Sequence, residues 1–177
     1  SCLNDKKLFE FIEHNNIENK DLLYLHYLGY LALRNLDSEE HYNNLKKYAL
    51  SNFDHLHESL QKATIVYLIN YCTRKLKRNN SYKYKLELNK NFKLYLKYKL
   101  YKLTGENFIR SDIFITILSN FFAVGKITEA IKFLEDNIES IQPSHRKNMT
   151  AIANALLQFE KKDFGESLKH ASMIKSN

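Results

Sequence analysis

Two closely spaced histidines are the first candidates for metal chemistry in this chain. His55 and His57 stand beside Asp54 and Glu58, and imidazole and carboxylate groups are ligands that zinc accepts. On a helix, residues two apart point about 200° from each other, so these two imidazoles are poorly placed to share one ion. No Cys-x-x-Cys or His-Glu-x-x-His spacing supplies further ligands. We therefore expect no metal site.

Side chains suited to catalysis are scattered along the chain. Glu10 and His14 have the spacing of neighbours on one helix face, which is commonplace near a helix end. The acidic pairs at 39–40 and 135–136 lie in stretches typical of solvated helix faces. The four glycines form no phosphate-binding loop and no Gly-x-Ser-x-Gly elbow. We expect no catalytic residue and no cofactor, while an enzyme with dispersed residues stays open as an alternative.

Length and composition favour one folded domain, residues 1–177. Of the 177 residues 44% are hydrophobic, which is enough for a sizeable core. One proline and four glycines are too few for the turns of a β-sandwich or barrel. Cys2 and Cys72 are too few for a disulfide framework, and the apolar stretch around Cys72 is typical of a buried free thiol. We therefore expect a reducing, cytoplasmic location.

Helices are predicted along the whole chain, because apolar residues recur every three or four positions. The longest charge-free stretches, 113–125 and 148–159, are shorter than the roughly 20 residues that cross a bilayer, so we predict no membrane span. Pro143 at a first turn and Asp163 three residues before a glutamate support two of the boundaries. The predicted helices, about nine in number, cover 4–14, 19–36, 38–51, 54–78, 81–103, 110–124, 127–141, 144–161 and 163–175.

Positive charge is concentrated in residues 74–102, here called the basic block. The block holds 11 basic residues and 1 acidic residue, in a chain whose net charge is +7. One face of its predicted helix is apolar, and the opposite face carries lysines with Tyr98 and Tyr101. The candidate basic patch consists of Arg74, Lys75, Lys77, Arg78, Lys83, Lys90 and Lys97.

Three interpretations of the basic block stay open. It is a solvated helix face with its tyrosines packed on a neighbouring helix, a site for an acidic protein, or a landing surface for nucleic acid or an anionic membrane. In the last case the tyrosines would be available for stacking on bases. Because lysine outnumbers arginine in the block, nucleic-acid binding would be non-specific and sensitive to salt.

A repeat is recognisable in the last third of the chain. One apolar stripe is followed by a break at Gly125, and a second stripe carries the small residue Ala130, which lets the two helices approach closely. The first stripe is Phe114, Ile117, Leu118 and Phe121, and the second is Ile127, Ala130, Leu134, Ile138 and Ile141. This pattern resembles the tetratricopeptide (TPR) repeat, a helix–turn–helix unit of 34 residues.

The clearest repeats are 111–143 and 144–175, and their turn positions, Gly125 and Lys162, lie 37 residues apart. The resemblance implies an all-α fold of antiparallel helix pairs stacked as a TPR-like right-handed α-solenoid. The order of elements is also similar to that of certain bacterial helical-repeat proteins with no assigned activity. Since a solenoid needs a terminal cap and this chain opens on Ser1, we expect a piece of a longer protein.

The resemblance implies a non-catalytic module or scaffold that binds another protein or peptide. Its groove would be lined by the first helices of successive pairs. If residues 107–142 follow the family geometry, the candidate groove residues are Asn107, Arg110, Ser111, Thr116 and Asn120. The alternative is non-specific binding of nucleic acid or an anionic surface through the basic block.

Overall fold

The structure is a computed structural model that describes Glu10 and residues 20–51, 53–102 and 107–175. Within these residues the chain is helical apart from connections and one isolated parallel β-bridge, which confirms the all-α prediction. The helices are α1 (Lys20–Arg34), α2 (Glu40–Ser51), α3 (Glu58–Asn79), α4 (Tyr82–Lys97), α5 (Ser111–Ala123), α6 (Ile127–Asn137), α7 (Pro143–Glu160) and α8 (Phe164–Ser172). Short 3-10 turns cover Phe53–His55, Leu100–Lys102 and Ile138–Ser140.

The predicted helix 4–14 lies outside the described residues except for Glu10, so the count of about nine stays a prediction. The chain divides into two compact units, Ser1–Lys77 and Arg78–Asn177. The prediction of a single domain likewise stays a prediction.

Unit 1, residues 1–77, is built on the packing of α1 against α2. In its core the rings of Tyr42 and Tyr71 stack with their centroids 4.2 Å apart. The Tyr42 hydroxyl lies 3.5 Å from the Cys72 sulfur. Cys72 is buried and forms no disulfide, which confirms the prediction of a buried free thiol.

A close approach between α1 and α3 depends on Gly29. A Cβ at this position would lie 2.5–2.7 Å from three ring carbons of Tyr67, far inside van der Waals contact. The Tyr67 hydroxyl is also 2.8 Å from Nδ1 of His26, on the same helix as the glycine. The missing side chain therefore lets the tyrosine ring lie directly on the α1 backbone.

Unit 2, residues 78–177, contains two successive helix pairs, α5 with α6 and α7 with α8. The first helices of the two pairs also pack on each other, and α4 packs on α5. Phe114, Phe121 and Phe133 form an aromatic cluster between α5 and α6, with centroid distances of 4.8 and 5.7 Å to Phe133. Ala130 is fully buried beside them, as its small size predicts.

The helix predicted over 81–103 is shorter than expected. It ends at Lys97, and Lys99 takes a left-handed backbone conformation with φ of 51° before the 3-10 turn. The amide of Lys99 donates to the carbonyl of Leu96 at 3.0 Å, which closes the helix end. Because no glycine or proline marks this point, the sequence carries no break signal there.

Candidate functional site

The extended residues before α5 and before α7 lie side by side. The Ile109 amide donates to the Ser140 carbonyl at 2.7 Å, and Ile109 forms a parallel bridge with Ile141. Both isoleucines are buried, and each stands two residues before the first residue of its helix. Because the bridge is parallel and the offset is the same, α5 and α7 begin next to each other.

An open groove of about 410 Å³ lies at this shared helix start. Phe108 contributes an aromatic ring that is 38% exposed. The other lining side chains are mostly polar. The lining consists of Asn107, Phe108, Ile109, Arg110, Ser111, Asp112, Gln142 and His145.

Two features determine the charge at the groove: one ion pair and the N-terminal ends of α5 and α7. Arg110 and Asp112 form a bidentate pair, with Nε to Oδ1 at 3.1 Å and Nη2 to Oδ2 at 2.8 Å. Neither Arg110 nor Gln142, the residues that precede the two helices, caps its helix with its side chain. The first backbone N–H groups of α5, and those that follow Pro143 in α7, therefore present partial positive charge at the groove.

Arg146 holds the segment on which the groove is built. Its Nε donates to the Ile141 carbonyl at 2.9 Å, and Nη2 donates to the Glu139 carbonyl at 2.8 Å. Its guanidinium also pairs with the Glu139 carboxylate. These contacts hold the 3-10 turn that precedes α7. Arg146 therefore positions the segment that leads into α7 and forms one side of the groove.

Three of the five predicted groove residues, Asn107, Arg110 and Ser111, come together in this groove. Thr116 is exposed further along α5, and its hydroxyl donates to the Asp112 carbonyl at 2.7 Å. Asn120 is buried, and its amide donates to the Lys85 carbonyl at 3.3 Å. The structure therefore places Asn120 in the packing of α5 on α4, outside the groove.

The sequence prediction missed five of the eight lining residues, which are Phe108, Ile109, Asp112, Gln142 and His145. A usable signal was present, because an isoleucine stands two residues before each helix start, at 109 and 141. Matching apolar residues before two successive first helices indicate that the connecting segments are buried together.

In unit 1 two side chains of the predicted basic patch donate hydrogen bonds to backbone carbonyl groups at the C-terminal end of α1 or just after it. Arg74 Nη1 donates to the Leu33 carbonyl at 3.2 Å, and Lys75 Nζ donates to the Leu36 carbonyl at 2.8 Å. Carbonyl groups at a helix C-terminus carry partial negative charge, so both contacts are favourable. Lys77 is exposed.

In unit 2 the remaining predicted cations are Arg78, Lys83, Lys90 and Lys97. All four are exposed, and the three lysines are spaced by seven residues, which places them on nearly one line along α4. Lys90 pairs with Glu87 at 3.0 Å, and the Lys97 ammonium lies 4.9 Å from the centroid of the adjacent Tyr98 ring.

The two tyrosines considered for base stacking differ in their environment. Tyr101 is buried, and its ring centroid lies 6.5 Å from that of Tyr95. Tyr98 is half-buried beside Lys97. The buried ring of Tyr101 is not accessible to a base, which favours the packing interpretation for that residue.

A three-residue ionic cluster joins α4 to the start of α6. The Glu129 carboxylate lies 2.7 Å from Lys126 Nζ and 2.6 Å from Lys93 Nζ. The hydrogen bonds from the two ammonium groups lower the pKa of Glu129. The hydrogen bond to Glu129 in turn raises the pKa of Lys126.

No family model, no curated protein and no solved structure matches this chain. Over the described part of the chain, no three His, Cys, Asp or Glu residues are grouped so that they could hold a metal ion. In the same residues no helix combines the length and the apolar character that crossing a membrane requires.

Proposed function

We propose that this chain is a non-catalytic, TPR-like module that binds another protein. Antiparallel helix pairs would stack as a right-handed α-solenoid and present a binding surface at their edge. Support comes from unit 2, where two successive pairs pack first helix on first helix. Cys72 is buried and forms no disulfide, which is compatible with the cytoplasmic location that we propose.

The binding surface in this proposal is the groove at the start of α5 and α7. It takes an extended segment of the partner protein, with an apolar side chain against Phe108. The observation that carries the proposal is the side-by-side start of two uncapped helices beside an exposed aromatic ring. The partial charges of two helix starts favour a carboxylate on the bound segment.

Selection from a random-peptide library tests the groove without knowledge of the natural partner. The wild-type protein is expected to enrich peptides that combine an acidic with a large apolar residue. Arg110→Glu with His145→Glu removes the arginine and adds two carboxylates at the groove, and it is expected to weaken binding of the enriched peptides at least tenfold.

The control for this selection is Lys132→Glu, an exposed charge reversal on α6. It is expected to retain the affinity of the wild-type protein. Enrichment of no common sequence, or equal binding by the groove variant, would contradict the proposed site.

A second candidate function rests on the line of Lys83, Lys90 and Lys97 along α4. In this proposal the lysines attract nucleic acid or another anionic surface without sequence preference. A gel-shift titration with single-stranded DNA at increasing salt is the test. Steeply salt-dependent binding that a triple Lys→Gln variant loses supports this candidate, and no binding at low salt excludes it.

A further inference from the structure

The two helix starts that meet at the groove are equivalent in position but differ in charge. The parallel bridge pairs the segments before α5 and α7 in one register, so Arg110 corresponds to Gln142. In the same register Asp112 corresponds to Ser144. The first turn of α5 therefore carries an ion pair where that of α7 carries two uncharged side chains.

At the start of α5 a carboxylate of the chain itself already answers the positive charge. Asp112 lies in the first turn of α5, where the partial charge of the helix start stabilises an anion. Both of its oxygens accept hydrogen bonds from Arg110. Among the described residues that line the groove, Asp112 is the one with a carboxylate. It holds at α5 the place that a ligand carboxylate would otherwise take.

The start of α7 has no counterpart of Asp112. The first turn of α7 contains no acidic residue, and Gln142 does not cap it with its side chain. The acidic residue nearest before the helix is Glu139, whose carboxylate pairs with Arg146. The partial positive charge of the N–H groups that follow Pro143 is therefore left for a ligand.

We infer that Asp112 determines which segments the groove accepts, by limiting a bound segment to one acidic side chain and directing that side chain to the start of α7. The inference rests on the proposed function of the groove. A second acidic side chain on the α5 side, next to the apolar residue that lies against Phe108, meets the carboxylate of Asp112 and is repelled.

The size of this effect follows from the exposure of the ion pair. The side chains of Arg110 and Asp112 are 60% and 65% exposed, so a bound segment can reach both of them. Water screens a charge at this exposure, and one charge contact changes affinity by roughly two- to fivefold.

Selection from a random-peptide library with the wild type and with Asp112→Asn tests the inference. The wild type is expected to enrich peptides with one acidic residue, and Asp112→Asn is expected to enrich peptides with a second one. A two-acid peptide should bind Asp112→Asn roughly two- to fivefold more tightly than it binds the wild type. This gain should shrink as salt is added, because salt screens exposed charges.

Two further variants accompany the selection. Asp112→Ser gives α5 the residue that α7 has at the corresponding position, and it should select as Asp112→Asn does. Glu166→Gln is the matched control, since it also removes a carboxylate from the first turn of a helix, where Glu166 pairs with Lys169 on α8. It should select as the wild type does.

A purely stabilising role of Asp112 predicts a different result. The variants at position 112 would then change the affinities for one-acid and two-acid peptides by the same factor. That outcome, or an equal gain for the two-acid peptide in Glu166→Gln, would overturn the inference and leave the proposed groove intact. A wild-type protein that enriches no common sequence would overturn the proposed function, and this inference with it.

Discussion

Gly125 and Lys162 occupy the same position in two successive helix pairs and adopt the same left-handed backbone, with φ of 71° and 63°. Their hydrogen bonds also correspond. The Gly125 amide donates to the Phe122 carbonyl, and the Lys162 amide donates to the Phe159 carbonyl, both at 2.9 Å. The two turns are therefore one structural motif, closed once by glycine and once by lysine.

This equivalence predicts opposite effects for two substitutions. Gly125→Ala is expected to lower the free energy of unfolding by about 1 kcal/mol, because alanine disfavours positive φ. A Cβ there would touch nothing within 4 Å, so the loss reports backbone conformation alone. Lys162→Gly is expected to raise the free energy of unfolding by roughly 0.5–1 kcal/mol for the same reason.

Chemical denaturation of both variants measures these changes. Gly165→Ala is the control, since this glycine lies in α8 and its added Cβ would make an ordinary contact with Asp163 at 3.8 Å. It should leave stability unchanged or slightly increase it. An equal loss of stability for the two alanine variants would contradict the role of positive φ.

The contact of Gly29 with Tyr67 predicts a strong steric effect in unit 1. Gly29→Ala forces the tyrosine ring or α1 to move and is expected to cost about 1–3 kcal/mol of stability. In the background of Tyr67→Ala the same substitution should cost much less. A double-mutant cycle by urea denaturation measures the coupling, and additive effects would show that the ring is not the obstacle.

The ionic cluster at Glu129 predicts a pH-dependent contribution to stability. Its folded-state pKa is lowered by Lys126 and Lys93, so the contribution is present above the ordinary value of 4.5 and is lost as the pH falls below it. The stability difference between wild type and Glu129→Gln should therefore shrink on acidification. Denaturation curves across this range provide the measurement, and a difference independent of pH would contradict the sign.

The three contacts of Arg146 predict that it maintains the β-bridge at the groove. Arg146→Met should accelerate hydrogen exchange of the Ile109 amide, because the Ser140 carbonyl that accepts from it loses its support. Arg110→Met, whose side chain pairs with Asp112 at the rim, is the comparison variant. In Arg110→Met, exchange of the Ile109 amide should stay slow. Equal acceleration in the two variants would contradict the proposal that Arg146 maintains the bridge.

The contact of Lys75 with the end of α1 predicts that two nearby lysines differ in importance. Lys75→Met removes the hydrogen bond to the Leu36 carbonyl and should cost about 1 kcal/mol. Lys77→Met changes an exposed residue two positions away and should be close to neutral. Thermal unfolding of the pair measures the difference, and equal melting temperatures would contradict it.

The helical pattern and the turn at Gly125 could be predicted because both depend on neighbours in sequence. Apolar spacing places Phe114 and Ala130 in the core, where the structure has them. The end of α4 could not be predicted, since Lys99 adopts positive φ without any residue that favours it. Residues 98–100 contain no glycine, asparagine or proline that would indicate a turn.

Of the residues that line the candidate site, the sequence predicted only Asn107, Arg110 and Ser111, which lie just before or at the start of α5. Helical phase placed Asn120 on the same face as Thr116, but α4 packs on that side and buries the asparagine. Helical phase within one helix does not reveal which neighbour covers a face. His145 and Gln142 reach the groove only through the parallel bridge, which is a contact between segments 32 residues apart.

The bridge and the turn repeat at different intervals, 32 residues for Ile109 and Ile141 and 37 for Gly125 and Lys162. The five additional residues all belong to α7, which has 18 residues where α5 has 13. At 1.5 Å per residue, the second helix extends past its neighbour by roughly 7.5 Å. The two helices are therefore level at the groove, whereas at the opposite end α7 extends past α5, and the exposed Lys161 and Lys162 lie directly after this extension.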